Sequence, residues 1–249
     1  MGNRWNEIKT VLWREWVFFR RRFWKITSAL VVSPLLYMVA FGWGIGQGIS
    51  IDGRSYMYYI IPGIIAMTSM RSSYSAISMR ISVTRLHEKS FEAYLTAPVS
   101  MVGLTLGHVI AGGLRGFYAA LVILVVSLAS GVWITITPLF FIVILLNSLM
   151  FASLGFFAAM MIDTHYDMNR FSSFVITPMA FLCGTFFSLK KLPWLIRMVI
   201  EWLPLTHSTR LVRAIALDMK FEWFSVLVLL VYTTIFTVLS IRACYEEVV

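Results

Sequence analysis

The sequence predicts an all-α integral membrane protein with six transmembrane helices, and three observations support this fold class. Hydrophobic residues make up 59% of the 249 residues, charged residues only 13%, and the mean hydropathy is +0.80. A soluble domain of this length cannot bury so much apolar surface. The apolar residues fall into separate segments of about 20 residues, the length that crosses a bilayer as a helix. Lysines and arginines cluster at the ends of these segments, so the net charge of +9 indicates membrane topology and no nucleic-acid partner.

We predict six spans, at residues 26–46, 58–80, 103–130, 139–162, 171–189 and 223–241. They form a single transmembrane domain over residues 1–249, because no repeat or linker divides the chain. Residues 1–25 mix basic residues with regularly spaced aromatics, which predicts an amphipathic helix in the membrane interface; the alternative is a solvated basic tail. Residues 242–249 are predicted to be a cytoplasmic tail, and we expect no signal peptide to be removed.

The short flanks of the spans set the predicted orientation. The N-terminal segment holds seven lysines or arginines and the second connection three more, whereas the first connection offers only Arg54 and the third none. Both termini are therefore predicted to be cytoplasmic. Residues 190–222 are basic although this orientation makes them external. Their helical spacing, broken at Pro193 and Pro204, predicts short helices that dip into the outer interface as a half-buried lid.

The sequence carries no catalytic motif and no Gly-rich nucleotide loop, and all 12 acidic residues lie outside the predicted spans. The chain is therefore predicted not to be an enzyme and to bind no cofactor. Asp163, His165 and Asp167 are the nearest approach to a metal site, but their spacing favours a helix-capping turn and we predict no metal. Cys183 and Cys244 lie on different apolar segments and are expected to be free, packed thiols.

Two arginines lie at membrane depth, where a charge costs about 2.5–3.5 kcal/mol even on lenient insertion scales. Arg71 is surrounded by hydroxyl residues in the second predicted span, and Arg115 lies in the third. Such a helix should face protein or a polar pathway. We name Arg71, Ser72, Ser75 and Arg115 as candidate pathway residues. The sequence favours the structural alternative, in which each arginine binds carbonyls of a neighbouring helix or reaches a lipid headgroup.

The connection over residues 84–100 is predicted to be a cytoplasmic docking element. It begins at a potential cap, Thr84, and Leu86, Phe91, Tyr94 and Leu95 fall broadly on one side of a short helix. A short amphipathic helix between two spans can transmit force from a partner protein to the membrane helices. The alternative is a helix that merely lies in the interface.

Four segments resemble a known family: FGWGIG at 41–46, YIIPGIIA at 59–66, EAYLTAPVS at 92–100 and LPLTH at 203–207. Their order and spacing resemble the type-2 ABC transporter permeases, the ABC-2 membrane family. Within the family the chain looks most similar to nodulation-factor and drug-resistance exporters. The resemblance covers nearly the whole chain, although no single motif is as specific as a nucleotide-binding loop.

The resemblance implies the permease subunit of an ATP-driven exporter in the cell inner membrane, moving a lipid, glycan or amphipathic drug-like substrate outward. It implies a homodimer bound to two copies of a separate ATPase, which holds the ATP and Mg. Residues 190–218 would be external helices near the exit. Residues 85–97 would form the coupling helix, with candidate contacts Arg85, Glu88, Phe91, Glu92, Tyr94 and Leu95. The alternatives are a haem or lipid-linked glycan exporter of the same plan, and a membrane scaffold without transport.

Overall fold

The computed structural model describes residues 4–51, 53–86, 99–189 and 192–246, and most of them are helical. The helices are α1 (Arg4–Arg21), α2 (Phe23–Tyr37), α3 (Tyr56–Leu86), α4 (Met101–Ala129), α5 (Pro138–Met161), α6 (His165–Phe171), α7 (Thr177–Leu182), α8 (Trp194–Glu201), α9 (Pro204–Ala216) and α10 (Trp223–Glu246). Two π-helical stretches, Met38–Ile45 and Ser172–Ile176, extend α2 and join α6 to α7. A small antiparallel hairpin, β1 (Ser50–Ile51) with β2 (Arg54–Ser55), precedes α3 and was not predicted.

Within the described ranges, four helical stretches are long and apolar enough to cross a membrane: Phe23–Ile45, α4, α5 and α10. Their bounds agree with four of the predicted spans to within five residues. The 31-residue α3 is also long enough to cross, but its hydroxyl groups and arginines lower its hydropathy. The complete six-span plan and the orientation of the termini therefore stay predictions.

The predicted fifth span, 171–189, differs from the structure because the helix ends at Leu182. The next backbone carbonyls accept hydrogen bonds from side chains of other helices instead of continuing the helix. Thr209 Oγ1 donates to the Cys183 carbonyl at 2.7 Å, and the Arg213 guanidinium donates to the Gly184 carbonyl at 2.7 Å. Two hydroxyl groups of α3 make the same kind of contact: Tyr56 donates to the Phe186 carbonyl and Tyr59 to the Phe187 carbonyl. These external donors satisfy the backbone where the chain turns.

The central helices are α3 and α5, and the others pack around them. In the most apolar part of α5, 67% of the residues are buried, whereas the share is 17% in α10 and 17% in the Phe23–Ile45 stretch. Helix α10 and the Phe23–Ile45 stretch therefore form the outside of the bundle. Small residues allow the close contacts. A Cβ on Gly116 of α4 would lie 2.7 Å from the Ser69 carbonyl oxygen of α3, and one on Gly155 of α5 would lie 2.7 Å from the Tyr74 carbonyl oxygen.

The amphipathic N-terminal segment is a helix, α1, that lies along α4. Val11 is its one buried residue and packs against Gly107, whose missing Cβ would lie 2.8 Å from Val11 Cβ. The tryptophans of the segment are exposed on the other side, with Trp5 68% and Trp13 69% accessible. Exposed aromatic rings beside basic residues suit the headgroup region of a bilayer.

Two short helices, α8 and α9, occupy the predicted lid region. Helix α8 begins directly after Pro193, and α9 begins at Pro204. Most of α8 is exposed, whereas nearly all of α9 is buried against α3, α5 and α10. His207 of α9 bonds Ser225 Oγ and the Glu201 carbonyl oxygen, both at 3.0 Å. His207 thus joins α9 to the end of α8 and the start of α10, which is a structural role.

Candidate functional site

A cavity of about 620 Å³ lies between α2, α3 and α4, beside the junction of α1 and α2. Its apolar side comes mainly from α2, and the members of that side are Ile26, Ala29, Leu30, Pro34 and Met67. Its hydroxyl groups belong to Ser33, Tyr37, Thr68, Ser72 and Ser75. Along α2 the lining runs from Arg22 to Tyr37, which is about 22 Å at 1.5 Å per residue. The cavity therefore extends along most of the length of α2.

All four candidate pathway residues, Arg71, Ser72, Ser75 and Arg115, line this one cavity. The sequence placed them on two different spans, and the packing of α3 against α4 brings them together. Ser72 Oγ lies 3.4 Å from the Arg115 carbonyl oxygen. Arg22 and Lys25 add two further cations at the α1–α2 junction. No aspartate or glutamate appears among the described residues that line the cavity.

The side chains of Arg71 and Arg115 have few protein partners in the part of the chain that the structure describes. Arg71 lies over the Phe181 ring, with its guanidinium carbon 5.8 Å from the ring centroid, and its buried Nε has no hydrogen-bond partner there. Neither guanidinium binds a described carbonyl, although the sequence favoured that arrangement. Ion pairs occupy other arginines, namely Arg14, Arg80, Arg85, Arg170, Arg197 and Arg210.

The hydroxyl residues of α3 divide between two faces of the helix. Thr68, Ser72 and Ser75 line the cavity. Ser69 points to α5, where its Oγ lies 2.6 Å from Ser148 Oγ and 3.3 Å from Asn147 Nδ2. Residues four apart lie on the same face of a helix, as Thr68 and Ser72 do. Ser69 is one residue further along the chain than Thr68 and therefore lies on a different face. The sequence predicted that this helix faces either protein or a polar pathway. Both predictions apply, each to a different face of α3.

A second cavity, of about 370 Å³, lies between α1, α3 and α4 and is mainly apolar. Trp16, Phe19 and Tyr118 contribute aromatic rings to it. Arg115 lines this cavity as well as the larger one. The two spaces thus adjoin at a single charged residue.

A polar cluster ties α1 to the membrane helices. Glu15 accepts from Arg80 Nε at 3.1 Å, and Arg14 donates to His108 Nε2 at 3.0 Å. The guanidinium of Arg80 also lies 4.1 Å from the centroid of the Phe18 ring. Because charged hydrogen bonds connect three helices here, α1 is fixed against α3 and α4 and does not float free of the bundle.

The predicted docking element lies largely outside the described residues: Glu88, Phe91, Glu92, Tyr94 and Leu95 all belong to the undescribed range 87–98. Arg85, the sixth candidate, is at the end of α3. Its guanidinium donates to Asp163 Oδ1 at 2.8 Å and to the Ile162 carbonyl oxygen at 3.2 Å. Arg85 thus joins the end of α3 to the α5–α6 connection.

The other end of the same element is attached to α1. Glu7 Oε2 accepts from the Ser100 backbone N–H at 3.2 Å and from Ser100 Oγ at 2.5 Å. Ser100 is the N-cap of α4, and its Oγ accepts from the Gly103 N–H at 3.1 Å. The described residues on the two sides of the range 87–98 are thus both anchored, Arg85 to the α5–α6 connection and Ser100 to α1.

The remaining polar candidates have structural contacts. Thr164 caps α6 by accepting from the Asp167 N–H at 3.0 Å, as the capping interpretation predicted. Asp163 pairs with Arg85, and His165 Nδ1 lies 3.1 Å from Ser82 Oγ. Among the described residues no group of His, Cys, Asp or Glu is arranged to hold a metal ion.

Both cysteines agree with the sequence interpretation. Cys183 and Cys244 are not bonded to each other in a disulfide, and both are buried within the bundle. Cys183 follows the end of α7, and Cys244 lies near the end of α10, where its Sγ is 3.6 Å from Met101 Sδ. These contacts make the two side chains part of the packed interior.

The chain belongs to the ABC-2 type transporter family, whose model matches residues 6–217. It is therefore a membrane transport subunit and not an enzyme, and permeases of this family generally work with an ABC ATPase subunit. This finding confirms the resemblance seen in the sequence motifs.

The curated relatives are named as transport and nodulation proteins. The chain is 27% identical over 197 residues to the inner membrane transport permease YadH of Escherichia coli (strain K12), covering 76% of this chain and 74% of that protein. It is 29% identical over 223 residues to nodulation protein J of Rhizobium meliloti (strain 1021), covering 87% and 83%. Nodulation protein J of Bradyrhizobium diazoefficiens is 27% identical over 199 residues, covering 76% and 72%.

The sequence analysis missed Arg22 and Lys25 as members of the cavity. It assigned both to the basic face of the interfacial segment, where charges are expected. The signal that distinguishes them is position: they lie at the start of the first apolar stretch, where α2 packs beside α3 and α4. Periodicity in one segment cannot reveal that neighbour.

Proposed function

We propose that this chain is the permease subunit of an ATP-driven exporter and works as a homodimer bound to two copies of a separate ATPase. The ATPase binds ATP and Mg, and this chain contributes no cofactor. The single observation that carries the proposal is the cation- and hydroxyl-lined cavity within a bundle of the ABC-2 type. A membrane scaffold has no need for unpaired arginines at mid-helix.

In this proposal α3 and the α6–α7 stretch complete six spans together with the four strongly apolar stretches. The positive charges of the N-terminal flank and of the second connection then put both termini on the cytoplasmic side of the inner membrane. The name of the Escherichia coli relative supports the inner-membrane assignment. Substrate moves outward along the cavity and the interface between the two permease copies.

Coupling to ATP hydrolysis takes place at residues 85–97, with Glu88, Phe91, Glu92, Tyr94 and Leu95 in contact with the ATPase. Closing of the ATPase dimer moves this segment as a rigid body. Support for the mechanism comes from its two attachments, Arg85 with Asp163 and Ser100 with Glu7. They connect the segment directly to α3, α4, α5 and α1.

Co-purification from the native host tests the proposal. The intact chain is expected to bring down an ATPase subunit whose hydrolysis of ATP is measurable. The double variant Phe91→Asp with Tyr94→Asp is expected to lose that subunit, because two aromatic side chains that the proposal assigns to the ATPase contact become charged. The matched control is Trp133→Asp, which changes an exposed aromatic in the α4–α5 connection at the opposite end of α4.

A well-folded intact chain that brings down no ATPase would overturn the exporter assignment. If Trp133→Asp loses the subunit as completely as the double variant, the coupling site is not at residues 85–97.

A further inference from the structure

The charge balance of the larger cavity is one-sided. Arg22, Lys25, Arg71 and Arg115 give it a formal charge of +4, and no carboxylate of the described residues lines it. None of these four cations has an ion-pair partner in the described ranges, whereas Arg80 pairs with Glu15 and Arg85 with Asp163. The cavity therefore holds an excess of positive charge. Glu15 acts electrostatically on Arg115 from the second cavity, but its carboxylate already pairs with Arg80.

Two of the cations lie where such an excess is most unfavourable. Arg71 and Arg115 are at the middle of α3 and α4, and an uncompensated charge at that depth is poorly solvated. Thr68 is 6% exposed, lines the same cavity, and its buried Oγ1 has no hydrogen-bond partner among the described residues. Arg71 Nε is in the same condition. Unused donors beside unpaired guanidinium groups form a site for an anion.

The rest of the lining indicates that the anion carries a hydrocarbon part. Ile26, Leu30 and Pro34 place an apolar surface of α2 directly beside the charges. Behind Arg115 the second cavity adds the rings of Trp16 and Phe19. A small inorganic ion would leave these apolar surfaces without a partner, whereas an amphiphile covers them and its charge at once.

We infer that the cavity binds an anionic amphiphile, with a phosphate-type headgroup held by Arg71 and Arg115 and its hydrocarbon part on the α2 side. This inference rests on the proposed function and names its class of substrate. Guanidinium groups bind phosphate oxygens through paired hydrogen bonds, and four cations match a multivalent headgroup better than a single carboxylate. Arg22 and Lys25, at the end of α2, guide the headgroup into the cavity.

Calorimetric titration of the purified full chain in a non-ionic detergent tests the inference. The probes are dihexanoyl phosphatidic acid, dihexanoyl phosphatidylcholine and inorganic phosphate. Phosphatidic acid is expected to bind saturably, inorganic phosphate more weakly, and phosphatidylcholine not measurably. Arg71→Gln and Arg115→Gln should each weaken the binding of phosphatidic acid by about tenfold, because each removes one charge-assisted contact.

Matched variants separate the cavity from basic charge in general. Arg21→Gln removes an exposed arginine that neighbours the cavity without lining it, and it should leave the affinity unchanged. Arg71→Lys keeps the charge but loses the paired hydrogen bonds, so it should weaken the binding less than Arg71→Gln does. If Arg71→Gln does not fold, Lys25→Gln at an exposed position supplies the same test, with a smaller expected loss.

Three results would overturn the inference: no saturable binding of phosphatidic acid, equal binding of phosphatidylcholine, or equal losses in Arg21→Gln and Arg71→Gln. If inorganic phosphate binds as tightly as phosphatidic acid, the assignment of an amphiphile is wrong and the ligand is a free anion. The titration needs no ATPase. Failure of the anion site is therefore distinguishable from failure of the exporter assignment, which the co-purification measures.

Discussion

Two arginines within the bundle, Arg213 and Arg71, differ in how many protein partners their guanidinium groups have. Arg213 donates to the Tyr59 carbonyl oxygen at 3.1 Å and to the Gly184 carbonyl oxygen at 2.7 Å, and it lies 3.7 Å from the centroid of the Tyr59 ring. Among the described residues, the guanidinium of Arg71 has only the Phe181 ring as a partner, at 5.8 Å from the ring centroid. A satisfied guanidinium stabilises the fold, whereas an unsatisfied one is available to a ligand.

Arg213→Met should lower the free energy of unfolding by about 3 kcal/mol, because two buried carbonyl groups lose a charged donor. Circular dichroism of the helical signal during denaturant or thermal unfolding measures this change. The control is Arg197→Met, which removes an exposed pair with Glu201 on one turn of α8 and should change stability by less than about 1 kcal/mol. Equal effects of the two variants would contradict the role assigned to Arg213.

At the scale of single residues the sequence located Arg71, Ser72, Ser75 and Arg115 because polar groups are conspicuous in apolar segments. It did not identify Arg213 as a structural arginine, because the carbonyl groups that Arg213 binds lie about 30 and 150 residues away in the chain. Only the packing of α9 on α3 brings these groups together.

Helix packing here depends on glycines that face backbone or side chains of limited mobility. Gly116 of α4 lies where a Cβ would come within 2.7 Å of both the Ser69 carbonyl oxygen and Ser73 Cβ. Gly113, one turn earlier, faces the flexible end of the Leu149 side chain. The same substitution should therefore have different consequences at the two positions.

Gly116→Ala should destabilise the protein by about 2 kcal/mol, since α3 and α4 must move apart. Gly113→Ala should be tolerated, because Leu149 can change its rotamer. Thermal unfolding of the two variants in the same detergent makes the comparison. Equal melting temperatures of the two variants would show that the close contact between α3 and α4 at Gly116 does not determine the stability of the protein.

Whole helices were predicted well where hydropathy alone decides and poorly where tertiary contacts decide. Four apolar stretches matched to within five residues. The helix of the predicted fifth span ends at Leu182, before its predicted end at residue 189, because side chains of α3 and α9 satisfy the carbonyl groups that follow. Hydropathy measures apolar length and contains no information on such distant donors.

On the scale of the whole molecule, α1 links the start of α4 to α3. Glu7 of α1 binds Ser100, the N-cap of α4, while Glu15 pairs with Arg80 of α3 and Arg14 donates to His108 of α4. In the proposed mechanism, a movement that reaches Ser100 is therefore passed to the cavity-lining helices through α1 as well as along α4.

Glu7→Gln should reduce ATP-driven transport in proteoliposomes by about tenfold while leaving the ATPase bound, because it removes the charged acceptor of Ser100. Flux of a phosphate-bearing amphiphile and co-purification of the ATPase are measured on the same preparation. Glu246→Gln, at an exposed position near the end of α10, is the control and should transport normally. Loss of the ATPase together with transport would assign Glu7 to assembly instead of coupling.

Because both thiols are buried, the natural chain can be used for site-directed cysteine labelling without first replacing its own cysteines. Cys183 and Cys244 are each 0% exposed, so a membrane-impermeant maleimide has no accessible target in the folded protein. A single cysteine introduced at the exposed Ser33 or Ser75 would then be the only reactive site. Labelling in sealed vesicles of known sidedness would report from which face of the membrane the cavity is reached, without replacing any native residue of the interior.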